Sequence, residues 1–184
     1  MYDNLINKFN WGGLNNSELY FDETNTRMVM NYRNNYARLA ENLFLKGDTS
    51  RALEVIDRCI YEFPREVVNL TYFTIPIIDL YYKSQEYEKG DDLLAIMIDD
   101  YFKEYYYLSD FERGSGLKQN LNITTQVLGS LTRVMQIHNR GNSSFNYFEE
   151  DSKYFKSKEN SDKEEINYST FRINTFLDEF YALQ

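Results

Sequence analysis

The chain has 184 residues, 29 of them acidic and 20 basic, with a formal charge of -9, 17 Tyr, 13 Phe, two Pro and one Cys. That length suits one domain burying roughly 70% of the surface its unfolded chain would expose, and the acidic balance disfavours nucleic acid and anionic lipid as partners. A single cysteine excludes an internal disulfide, and the longest apolar run, Leu93 to Ile98, is far short of the ~18 residues of a membrane span. Met1 to Gly13 has no continuous apolar core of the kind a signal peptide needs. A soluble chain, or a soluble piece of a longer one, is expected, with no membrane insertion by this stretch.

In chain order, residues 1–21 hold the turn-rich Trp11-Gly12-Gly13 and Asn15-Asn16-Ser17 and read as an extended arm pinned by Trp11 and Tyr20. Asp22 is a good N-cap, with Glu23 in the first turn of a helix to about Lys46. Val29, Tyr32, Tyr36, Leu39, Ala40 and Leu43 form its buried stripe. Gly47 closes that helix, and Asp48 opens another with the stripe Ala52, Val55, Ile56, Cys59, Ile60 and Phe63.

A second hairpin spans Asn69 to Leu108, with Thr74, Ile77, Ile78 and Tyr81 before a Lys83-Ser84-Gln85 turn and Gly90, Leu94 and Met97 after it. Pro76 removes one backbone donor, so it either kinks this helix or marks its first turn. Gly114-Ser115-Gly116 reads as a joint. Leu117, Leu121, Thr124, Leu128, Leu131, Met135 and His138 then predict a fifth helix, closed by Arg140-Gly141. Asn142 to Asn160 is either a long loop or a helix docked by its aromatics. Ser161 and Glu164 have capping-box spacing before a last helix to about Ala182. The resulting division is 1–21 arm, 22–108 two hairpins, and 109–184 C-terminal helices packing on the same domain.

Chemistry-bearing residues are sparse. Cys59 lies in a helical apolar stripe, as a buried and inert thiol would. His138, the one histidine, ends a helix where it can satisfy terminal carbonyls, and without a second His or a paired Cys it builds no zinc site. Asp99-Asp100 and Glu149-Glu150-Asp151 lack the spacing of a calcium loop and read as solvated faces. No nucleophile triad, phosphate-cradling glycine loop or nucleotide fingerprint is present, so no catalytic, cofactor or metal residue is assigned. In Tyr105-Tyr106-Tyr107 a helix must leave at least one ring exposed.

The stretch Arg33 to Pro64 follows the tetratricopeptide pattern. Tyr36, Leu39, Ala40, Leu43, Ala52, Ile56 and Pro64 fill its places, and small Ala40 and Ala52 let two helix backbones approach. From Ala52 to Gly90 is 38 residues (90 minus 52), against ~34 in the standard repeat, which requires an insertion around Arg65 to Asn69. The expected fold is therefore all-α, antiparallel hairpins in a tetratricopeptide-like right-handed superhelix.

In such hairpins the first helix lines a concave groove, which here would present Asn34, Ala37, Glu41, Phe44 and Leu45. Ala37 and Glu41 stand where the Lys and Asn of a clamp for acidic tails would be. The groove is thus expected to take a neutral or basic peptide.

MYDNLINKFNWGG (Met1 to Gly13), LYFDETNTRM (Leu19 to Met28), NYRNNYARLAENL (Asn31 to Leu43) and VIDRCIYEFP (Val55 to Pro64) also resemble the soluble C-terminal region of large bacterial multi-spanning membrane proteins related to protein O-mannosyltransferases. The resemblance fades after about Leu108. It implies an accessory domain on the periplasmic face of the cytoplasmic membrane, beside a glycosyltransferase portion that carries the catalytic acids and is not in this sequence. A free-standing adaptor that binds a peptide is the alternative. In both, the partner is a protein or peptide, or the membrane portion of the same chain.

Overall fold

In the computed structural model, residues 1–16, 18–109 and 115–140 are described. They contain five α-helices, α1 (Glu23–Leu45), α2 (Thr49–Glu62), α3 (Ile75–Lys83), α4 (Tyr87–Ser109) and α5 (Ser115–Ile137), and no strand. The expected final helix and the segment 142–160 lie outside the described residues. The fold is all-α.

Local chemistry sets the helix ends. The Asp22 carboxylate accepts from the Asn25 N–H at 2.8 Å and Asp48 accepts from that of Arg51 at 3.2 Å, each satisfying a first-turn donor of α1 or α2. Past α1, Gly47 is left-handed at φ 79°, and the Asp48 N–H returns to the Leu43 carbonyl at 2.9 Å. The same closure recurs past α3 with Gln85 at φ 66° and past α5 with Asn139 at φ 53°. There the Glu86 N–H bonds the Tyr81 carbonyl and the Arg140 N–H bonds that of Met135, both at 2.9 Å. The stop of α5 therefore falls at Asn139, ahead of the expected Arg140-Gly141. Pro76 sits in the first turn of α3, where its missing donor leaves no helical bond unmade.

A 38-residue period relates the two hairpins. Helix α1 ends at Leu45 and α3 at Lys83 (83 minus 45), while α2 begins at Thr49 and α4 at Tyr87 (87 minus 49). The left-handed residues Gly47 and Gln85 keep the same interval. Buried pairs recur with it too, among them Ala40 and Ile78, Ala52 and Gly90, Ile56 and Leu94, and Cys59 and Met97.

The chain divides into two compact units, Met1–Leu93 and one that begins at Leu94, so the division falls inside α4. In the first unit α1 packs against α2, α3 and the 3-10 turn Tyr72–Thr74, and α2 also meets α3. Its core is Val29, Tyr36, Ala37, Ala40, Ala52, Val55, Ile56, Cys59, Phe63, Ile77, Ile78, Leu80, Tyr81 and Tyr82. In the second unit Leu94, Met97, Ile98 and Leu108 of α4 are buried, as are Thr124, Val127, Leu128, Leu131 and Val134 of α5. Leu117, Leu121, Met135 and His138, expected on the α5 stripe, are only half-buried. Ser115 and Gly116, expected in a joint, open α5.

The arm is less extended than its composition suggests. Asn4–Lys8 forms one π-helical turn, and a further turn follows Trp11. Trp11 packs edge-on against Tyr32 and Phe63, with ring centroids 5.0 Å away in each case, while Leu5 is buried. Tyr20 does not pin the arm: it is 92% exposed, because Leu5 and Trp11 fill the apolar contacts.

Candidate binding surface

Of the five residues expected along the groove, Glu41 and Leu45 are exposed, Asn34 and Phe44 are half-buried, and Ala37 is only 3% exposed. Ala37 does not reach the surface, since α1 is covered by α3 and the 3-10 turn as well as by α2. Arg33, Tyr36, Ala37 and Ala40 together make the buried face of α1. What α1 offers to a partner is a strip with Glu41 and Leu45 one helical turn apart, flanked by Asn34 and Phe44. Leu45 is 76% exposed and is the large apolar side chain that this strip presents.

The residue that sequence reasoning missed is Arg33. Its side chain is fully buried, and its guanidinium donates to the carbonyls of Asn69 at 2.6 Å, Phe63 at 2.7 Å and Val68 at 2.5 Å. A longer bond of 3.4 Å reaches the Pro64 carbonyl. These carbonyls belong to the end of α2 and to the expected insertion, whose backbone is thereby wrapped around one cation. Arg suits this place because its planar fork presents several donors at once and the C-terminal end of a helix attracts positive charge. Burial pushes its pKa below the ordinary arginine value. The available signal was its spacing: Arg33, Ala37 and Ala40 recur at helical intervals on the face that had to be buried.

Polar ties also join the other helices of this unit. Asp57 on α2 accepts from the Tyr81 hydroxyl on α3 at 2.7 Å and from the Lys89 ammonium on α4 at 2.8 Å. Burial, then the bond to Asp57, raise the Tyr81 pKa. The buried Tyr82 hydroxyl donates to Asp91 at 2.9 Å, and its ring lies on Gly90, where an added Cβ would come within 2.6 Å of a ring carbon. That contact explains a glycine inside a helix.

The remaining candidates stay apart. Cys59 is buried, and desolvation pushes its thiol up to about 12, so it is not poised as a nucleophile. His138 lies half-buried just past α5. Asp99 is paired with Lys103 at 2.6 Å, and Glu149-Glu150-Asp151 falls outside the described residues. Tyr107 is 64% exposed. Among the described residues no group of three or more His, Cys, Asp or Glu could hold a metal ion. No helix among them is long and apolar enough to cross a membrane.

Comparison with protein-family models, with curated proteins and with solved structures finds no match.

Proposed function

We propose that the unit Met1–Leu93 is a non-catalytic, tetratricopeptide-like binding module and that its partner is a neutral or basic polypeptide segment held on the α1 strip. The observation that carries this reading is the 38-residue recurrence of helix ends and left-handed turn residues, with α1 lying against both α2 and α3. Helical arrays of this build set the first helices of successive hairpins beside one another and expose an extended surface along them. Charge selects the class of ligand: Glu41 stands exposed on the strip, and the chain carries a net -9.

In its setting, the module is an accessory domain of a membrane-embedded protein related to O-mannosyltransferases, on the periplasmic side, where it engages loops of its own membrane portion or an acceptor polypeptide. The support for this setting is the resemblance carried by the four stretches between Met1 and Pro64.

The test is titration of the purified chain with basic, neutral and acidic peptides at low and moderate salt, beside Glu41→Lys. Binding of the basic peptide that weakens with salt and with Glu41→Lys is the expected result. Preference of the unaltered chain for the acidic peptide would overturn the reading of the groove. Sugar transfer by the purified chain from a lipid-linked or nucleotide sugar would overturn its non-catalytic character.

A further inference from the structure

The arm covers an aromatic recess on the first hairpin. Tyr32 and Tyr36 of α1 and Phe63 at the end of α2 converge there, with Tyr36 fully buried and Phe63 1% exposed. The Trp11 indole packs into it, 5.0 Å from Tyr32 and Phe63 and 5.8 Å from Tyr36, with Phe9 5.5 Å away. Around this anchor the attachments are few. The Tyr36 hydroxyl donates to the Leu5 carbonyl at 3.3 Å, Tyr2 donates to Glu54, and the Arg51 guanidinium lies over the Tyr2 ring.

The connector to α1 is different in kind. Glu18, Leu19 and Tyr20 are all exposed, and the backbone bonds of Glu18 and Leu19 are local, both to Asn16. A segment seated through the Trp11 ring and the buried Leu5, and joined to the helix through exposed residues, has the build of a tethered ligand.

We propose that this recess is a polypeptide-binding site for a tryptophan-bearing turn, and that residues 1–16 close it in cis. The site is separate from the α1 strip and does not depend on the peptide preference argued for that strip. Stacked and edge-on aromatic contacts select a flat ring, and the turn after Trp11 brings the chain back out of the recess. A partner that presents such a turn competes with the arm, and release of the arm uncovers Tyr36 and Phe63.

Trp11 is the one tryptophan of the chain, which gives a clean experiment. In the 184-residue chain carrying Trp11→Ala, a synthetic peptide of residues 1–16 supplies the only indole. Its emission shifts to the blue and saturates on binding, and labelled peptide followed by anisotropy binds the unaltered chain at least tenfold more weakly, because the recess there is filled. The same peptide with alanine for its tryptophan does not bind. Lack of saturable binding to a Trp11→Ala chain of unchanged helicity would overturn the proposal, as would equal binding by both chains. Hydrogen exchange of the unaltered chain tests it without substitution: the Leu5 and Phe9 amides exchange in an earlier opening than those of α1 and α2. Exchange of all of them in a single event would also overturn it.

Discussion

The two helix pairs share one spacing of helix ends and left-handed turn residues and fill it with different side chains. In the first, both helices bury a small residue, Ala40 and Ala52; 38 residues on, the buried residues are Ile78 and Gly90. Gly90 receives the ring of Tyr82, a contact that an added Cβ would displace. The left-handed closure uses Gly47 in the first repeat and Gln85 in the second. Only the first repeat has a buried cation, since the position 38 residues after Arg33 is Thr71. The difference teaches that helix ends and spacing define the repeat, whereas each copy keeps its own way of filling the space and satisfying the backbone.

The largest break in this comparison comes from Arg33. Arg33→Leu leaves the buried carbonyls of Phe63 and Val68 without their donor and should cost about 3 to 5 kcal/mol, much of an ordinary domain's stability. Chemical denaturation measures the loss, and hydrogen exchange should show the segment 64–70 loosening before α1. Arg33→Lys should recover only part of it, because one ammonium cannot reproduce the fork.

Gly90→Ala is a test of sign. Helix propensity alone favours Ala by about 1 kcal/mol, but the new methyl would meet the Tyr82 ring at 2.6 Å, and moving that ring breaks its bond to Asp91. A net destabilisation of about 1 to 3 kcal/mol is expected from thermal or urea unfolding. At the matching position of the first repeat the preference runs the other way, so Ala52→Gly should also destabilise, by about 1 kcal/mol.

Cys59 and Met97 occupy matching buried positions, and only the first can ionise. The Cys59 thiol is raised from 9.0 to about 12 in the folded chain, so above pH 9 the unfolded chain loses this proton first. Stability is therefore retained below pH 9 and falls as pH rises toward 12. Between pH 8 and pH 10 the unaltered chain should lose about 1 kcal/mol more than Cys59→Ala, whatever the two differ by at neutrality. The smallest expected effect is at the closures. Gln85→Gly relieves a left-handed non-glycine residue and should stabilise by about 0.4 to 1 kcal/mol, while Gly47→Gln should destabilise by a similar amount.

Much of this plan was legible in the sequence because periodic apolar residues and caps act locally. Asp22, Gly47, Asp48 and Pro76 each do what their chemistry requires of the neighbouring backbone, and the 38-residue interval follows from Ala52 and Gly90 alone. What escaped depends on long-range contact. Arg33 meets carbonyls some 30 to 36 residues away, and Tyr82 meets Asp91 across a turn, so neither role follows from local pattern. Ala37 has the helical spacing of the groove face and yet is buried, and Tyr20 is exposed while Leu5 is buried in the arm, because both outcomes depend on what packs from elsewhere in the chain. Gln85 shows the converse, a left-handed position without the residue that would advertise it.

The most direct test of the binding account is a nuclear magnetic resonance titration of the labelled chain with a basic peptide, read residue by residue. The account predicts saturable shifts at Asn34, Glu41, Phe44 and Leu45, diminished in Glu41→Lys, with the Trp11 indole resonance unmoved. Shifts that leave the α1 strip untouched, or an acidic peptide that moves it more strongly than the basic one, would contradict it.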